Sequence, residues 1–184
     1  MRKVIITLLG GLTAAALAAA PASAEREDKT IVDKVIEISG PSGFDHESGD
    51  FDILREAVLV TGLDKALGGK GQYTVFAPTD QAFLDLTSQT SEQDAFNGVA
   101  ALGVPAVRQV LKYHVTPGRK GAKQVVQAKR INTLLRDAVI RKKRGSTVLR
   151  DETGRTVNVV APNAARLSNG LIHVLDGVLL PFQP

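Results

Sequence analysis

Apolar residues recur every three to four positions through the first two thirds of the chain and every two positions after Gln127, so helices are expected early and strands late. Ile31, Val32, Val35 and Ile36 fall on one side of a short helix over Thr30–Ile38, which Ser39-Gly40-Pro41 ends. Phe51, Leu54, Ala57, Val58 and Leu63 keep the same period in a second helix, with Asp50 or Asp52 placed to cap it. Tyr73 to Ala77 is then a short buried strand, stopped by Pro78 and Thr79, and Thr79 is placed to cap a helical turn carrying Ala82, Phe83 and Leu86. TSQTSEQDAFNG, residues 87–98, reads as polar and irregular. Pro105 is suited to the first position of a further helix, whose inner face is Val107, Val110 and Leu111 and which runs through Tyr113-His114-Val115 to Pro117-Gly118.

The late strands are expected at Ala138–Arg141, Thr147–Arg150, Thr156–Val160, Ala165–Leu167, Leu171–Leu175 and Val178–Leu180. Gly145-Ser146, Thr153-Gly154 and Asn169-Gly170 supply turns, the last being the strongest hairpin signal. The order of elements predicts an α+β fold. No internal repeat is visible, so residues 30–184 form one domain, after a charged, flexible start at 25–29. Residues 39–50, within SGPSGFDHESGD, form an acidic, glycine-bearing loop between the first two helices.

The first 24 residues have the organisation of a secretory signal peptide: basic Arg2-Lys3, an apolar run from Val4 to Ala20, and the small-residue site Ala22-Ser23-Ala24. The mature chain is therefore expected to be secreted or periplasmic, with no transmembrane segment once the leader is cleaved. With no cysteine, no disulfide supports the fold outside the cytoplasm, and stability must come from a core. That core is aliphatic, since 43% of residues are hydrophobic but only 4% aromatic. The same scarcity of aromatics argues against a stacking platform for single-stranded nucleic acid.

Charge adds a second division. The formal net charge of +4 includes Arg2 and Lys3, so the mature chain is close to neutral, yet residues 25–107 carry 15 acids against 6 Lys and Arg, and residues 108–155 carry 14 Lys and Arg against 3 acids. The basic half peaks at Arg141-Lys142-Lys143-Arg144, on an expected hairpin, with Arg136, Arg150 and Arg155 nearby and Lys129-Arg130 just before. Such a tip would steer polyanions, although cations also protect strand edges from aggregation.

TIVDKV, FDILREAVLVTGLDKALGGKGQYTVFAPTDQAF, LKYHVTPG and SNGLIHVLDGVLLP resemble, in order and spacing, the opening helix, first signature, tyrosine-histidine motif and closing signature of fasciclin domains. The resemblance implies a β-sandwich-like core with helices packed at one edge, in a secreted or surface-displayed adhesion module that is not generally an enzyme. It marks Thr79, Tyr113, His114, Asn169 and His173 as family motif residues. Animal members engage integrins through the tyrosine-histidine region, but this leader looks bacterial, and integrin binding is not carried over.

Motif chemistry is otherwise sparse. GLDKALGGKG lacks phosphate-loop spacing, and no GxSxG, HExxH or GxGxxG occurs, so no catalytic residue and no cofactor is assigned. His114 and His173 have no companion at ligand spacing and read as structural hydrogen-bonding groups. Asp45, His46, Glu47, Asp50 and Asp52 are oxygen-rich enough for calcium but fit no standard calcium loop, so they read as solvated acids and no metal is assigned. The expected function is a non-catalytic adhesion or envelope and matrix-binding module. Its expected site is Arg136, Arg141, Lys142, Lys143, Arg144 and Arg150, and its expected partner an acidic polysaccharide, the anionic envelope or another protein, with self-association a further route. The alternative is an extracellular carrier of a small apolar ligand such as a carotenoid or lipid.

Overall fold

A computed structural model describes residues 28–40, 43–45, 47–136, 139–141 and 144–183. The leader expected at residues 1–24 and the linker residues 25–27 lie outside the described residues. Helices pack on one another against one curled sheet, in keeping with the α+β expectation. Helices α1 (Ile31–Ile38), α2 (Asp52–Thr61) and α3 (Asp64–Leu67) lead into strand β1 (Tyr73–Pro78). Helices α4 (Asp80–Thr87), α5 (Glu92–Ala100) and α6 (Val104–Tyr113) follow, then β2 (Val115–Pro117) and α7 (Ala122–Gln127). The remainder is β3 (Arg130–Asn132), β4 (Val139–Arg141), β5 (Val148–Arg150), β6 (Thr156–Leu167) and β7 (Gly170–Leu175).

The sheet order is β2-β1-β7-β6-β5-β4-β3. β1 and β7 are parallel, and every other pair is antiparallel. The sheet curls until its ends meet: Thr116 Oγ1 donates to the Asn132 carbonyl at 2.6 Å, and the Leu134 N–H to the Val115 carbonyl at 2.7 Å. This near-barrel separates two apolar clusters. Val75 and Ala77 of β1 face the helices with Ile53, Phe83 and Leu111, while Phe76 faces Ile140, Leu149 and Leu175 inside the curl. Burial on both faces is why Thr74 to Pro78 reads as a continuous buried run rather than an alternating one.

Several local expectations change. Residues 87–98 are not irregular: Ser91 caps α5 by accepting from the Asp94 N–H, and Ala95 and Val99 bury its inner side. Thr156–Val160 and Ala165–Leu167 are one strand, β6, interrupted by register shifts where Pro162 and the positive-φ Asn163 form an irregularity rather than an end. Residues 178–180 are not a strand, yet all three are buried. The hairpin turn before β7 is Ser168-Asn169, and Gly170 already pairs with Leu167. Glycine is required at 170 by close approach, because a Cβ there would stand 2.3 Å from the Tyr73 carbonyl and 2.5 Å from Ile31 Cδ1.

Candidate functional site

β3 and β5 alternate exposed, buried, exposed, and in β4 the buried Ile140 is followed by the exposed Arg141. Ile131, Ile140 and Leu149 are at most 2% exposed and fill the curl, so Arg130, Arg141 and Arg150 point out to solvent. The strand register places these arginines directly opposite one another: Arg130 pairs with Arg141, and Arg141 with Arg150. They form one row across three neighbouring strands, at a spacing of about 4.8 Å per strand. Like charges directly opposite one another cost stability. Arg141 is relieved by Glu152, whose Oε2 accepts from its Nη1 at 2.6 Å.

Of the residues expected at a basic hairpin, Arg141 and Arg150 stand in this row, and Arg136 and Arg144 are exposed in the connections beside it. Lys142 and Lys143 lie outside the described residues. Arg130, which sequence reasoning placed only near the hairpin, is the third member of the row. Its membership depends on the β3–β4 register, which no local pattern carries.

The signature residues take interior positions. Tyr113 is fully buried in the inner cluster, where its hydroxyl hydrogen-bonds with the Glu152 backbone; burial, then the charges of Glu152 and Asp151, pushes its ionisation up. His114 donates from Nδ1 to the Val110 carbonyl at 2.9 Å and accepts at Nε2 from the Leu179 N–H at 3.0 Å, a pattern only the neutral ring can make. Its complete burial lowers its pKa to about 4. His173 likewise accepts at Nδ1 from Asn163 and donates from Nε2 to the Lys120 carbonyl, and burial lowers its pKa too. Asn169 joins three elements, accepting from the Ile31 N–H and donating to the carbonyls of Leu67 and Gly69. Thr79 occupies the N-cap of α4 without a side-chain capping bond, contrary to the expected role.

The acids before α2 are not a solvated loop. Asp50 is 7% exposed and Asp52 fully buried, and Asp52 Oδ1 lies 2.7 Å from Arg55 Nη1. Neither acid caps α2. Asp80 does so from 28 residues away, its Oδ2 accepting from the Asp52 N–H at 2.7 Å and its Oδ1 from the Ile53 N–H at 2.8 Å. Burial, with the Asp50 carboxyl beside it, pushes Asp80 up to about 8. Asp52 is raised mainly by burial, with Arg55 pulling the other way. The loop is tied down further, with Asp45 N–H bonding Asp52 Oδ2, the Ser48 carbonyl accepting from Gln81, and Phe44 packing on Phe96. Asp45 and Glu47 are exposed, and His46 lies outside the described residues.

An apolar crevice opens between α1 and α2, lined by Val32, Ile36, Val58 and Leu59 with His114 at its base, and it encloses about 30 Å³.

Sequence comparison decides the family. The sequence model of the fasciclin domain matches residues 49–181. The chain belongs to the fasciclin domain family. The fasciclin chain is 36% identical over 136 residues to protein sll1483 of Synechocystis, covering 71% of itself and 67% of that protein. It is 30% identical over 137 residues to the transforming growth factor-beta-induced protein ig-h3 of Sus scrofa, covering 71% of itself but only 18% of that longer protein. In three dimensions it is similar to the FAS1 domain pair of the insect cell adhesion molecule fasciclin I, with a TM-score of 0.62 and 17% identity over 84% of this chain and 51% of that one. Among the described residues, no helix is long and apolar enough to cross a membrane.

Proposed function

We propose that this fasciclin domain is a secreted, non-catalytic adhesion module that holds acidic polysaccharide, or the anionic envelope surface that displays it, against the outer face of β3–β5. One observation carries the reading: Arg130, Arg141 and Arg150 stand exposed in a single cross-strand row, and only Arg141 has a carboxylate partner among the ion pairs of the described residues. Three like charges held in register are costly to the isolated fold and become favourable against a line of anions. Adhesion as the class of job draws support from the fasciclin I relative, named as a cell adhesion molecule.

Two other readings are weaker on physical grounds. Self-association would need the acidic half to meet the basic face, and Asp50, Asp52, Asp80 and Glu92 are buried. The exposed acids Asp33, Glu37, Asp45, Glu47, Asp85 and Asp94 come from α1, the loop after it, α4 and α5 rather than from one row that would match the arginines. A carrier of a carotenoid or lipid would use the crevice beside α1, about 30 Å³, or the apolar hollow lined by Val60, Phe96, Val99 and Val104, about 240 Å³, and both fall below the roughly 300–1,000 Å³ of typical small-molecule sites.

The test is binding to immobilised heparin and to an acidic exopolysaccharide across a salt series, with the triple change Arg130→Ser, Arg141→Ser and Arg150→Ser beside the unaltered protein. Retention should weaken at least about tenfold as salt rises from about 0.05 M to about 0.5 M, and vanish in the triple variant. Equal retention of both proteins would reject the face.

A further inference from the structure

We propose that Asp50, Asp52 and Asp80 form a calcium site where the N-terminal ends of α2 and α4 meet. One carboxylate oxygen from each lies within 4.8 Å of those of the other two, and all three residues are at least nine-tenths buried. Calcium takes oxygen ligands at about 2.3–2.6 Å in a flexible geometry, whereas magnesium demands a near-ideal octahedron at about 2.0–2.1 Å and gives up its waters reluctantly.

The observation that points to an ion is Asp50. It is 7% exposed, and its Oδ1 has no hydrogen-bond partner. The neighbouring donors are committed elsewhere. Arg55 is engaged with Asp52, Glu56 and the carbonyls of Ser39, Gly40 and Gly43. The Asp52 and Ile53 N–H groups go to Asp80. Three buried carboxylates face one guanidinium, so an excess of negative charge has to be offset, either by a proton held between Asp50 and Asp80 or by a divalent cation.

The ligand set is all oxygen, the donor class of calcium rather than of zinc or copper. Exposed Asp45 and buried Glu92 form with Asp52 a second oxygen group within 4.8 Å, so Asp52 links the cluster to a carboxylate at the surface. The site escapes linear calcium motifs because its ligands come from two segments, the residues opening α2 and the first residue of α4. Extracellular calcium modules work at dissociation constants of about 10⁻⁴–10⁻³ M, the range expected here. The rival occupant is a single proton shared between Asp50 and Asp80.

The experiment measures thermal unfolding of the chelator-treated protein at about pH 8 with CaCl2 or MgCl2, beside Asp50→Asn. Calcium at tenfold its dissociation constant should raise the midpoint by about 3–6 °C, magnesium should do markedly less, and Asp50→Asn should not respond. Calorimetric titration of the unaltered protein should give one calcium per chain, and hydrogen exchange should slow on calcium addition in the peptide spanning residues 43–56; these readings stand even if the variant fails to fold. No calcium response, with stability rising only as pH is lowered, would assign the cluster to a shared proton and overturn the proposal. An equal calcium shift in Asp50→Asn would place the ion elsewhere and overturn it as well.

Discussion

Asp80 caps a helix it does not belong to. Its two carboxyl oxygens take the N–H groups of Asp52 and Ile53 at the start of α2, while its own N–H, in the first turn of α4, donates to the Asp50 carbonyl at 3.1 Å. The two helices are thereby fixed end to end by one buried side chain. Asp80→Ala strands two buried donors, and a loss of about 2–4 kcal/mol is expected from the missing cap and the unsatisfied N–H groups. Asp80→Asn keeps one acceptor and should cost roughly half as much. Urea denaturation of both variants checks this, and a cost below about 0.5 kcal/mol for the alanine would show that α2 needs no cap there.

His114 predicts a pH dependence whose sign follows from its hydrogen bonds. Its Nε2 must accept from Leu179, so the folded state holds the ring neutral with its pKa lowered to about 4, against 6.5 for an unperturbed imidazole. Between these values the unfolded chain binds the proton and the folded chain does not. The contribution is fully present above pH 6.5, falls as pH is lowered, and is lost by about pH 4. It amounts to about 3 kcal/mol. Asp151, nearby, favours the charged ring but is outweighed by burial. Asp80, raised to about 8, contributes the opposite slope across the same window. Comparison with His114→Gln cancels that slope, so the variant should lose markedly less stability than the parent between pH 7 and pH 4.5. Equal losses would mean that His114 is already charged in the fold.

Gly170→Ala tests the packing of the closing hairpin. The added methyl would meet the Tyr73 carbonyl, which is strand backbone and cannot turn aside, so β1 and β7 must separate or α1 must shift. A cost above about 2 kcal/mol is expected. Gly49→Ala is the control: nothing lies within 4 Å of its Cβ position, and its stability should change by less than about 0.5 kcal/mol.

What could be read from the chain divides by range. Tyr73 to Ala77 announces its strand because β-branched and aromatic residues are bounded by Gly71-Gln72 and Pro78, all local signals. Asn169-Gly170 announces a hairpin, but not that Gly170 serves contact with Tyr73, which is 97 residues away. Asp80 looks like an ordinary first-turn acid of its own helix, and its service to α2 across 28 residues has no local signature. Ser91 caps α5 by accepting from the Asp94 N–H, inside a run whose polarity reads as irregular. The basic run drew attention to 141–144 by density. The ordered feature is instead Arg130, Arg141 and Arg150, one from each of three strands, brought together by register alone.

That row separates specific recognition from bulk charge. Val148 lies two residues from Arg150 on the same outer face of β5 and pairs with Asn158 rather than with the arginine row. The double change Arg150→Ser with Val148→Arg therefore keeps the net charge and moves one cation about 7 Å along the strand. If an anionic chain lies across the strands and takes one anionic group per arginine, affinity for acidic exopolysaccharide should fall about as far as in Arg150→Ser alone. If the face acts only as a diffuse positive field, the relocated cation should restore most of the affinity and the salt dependence with it. Glu152→Gln supplies the converse measurement: it releases Arg141 from its 2.6 Å partner and should strengthen binding by about two- to fivefold, provided the row itself is the contact.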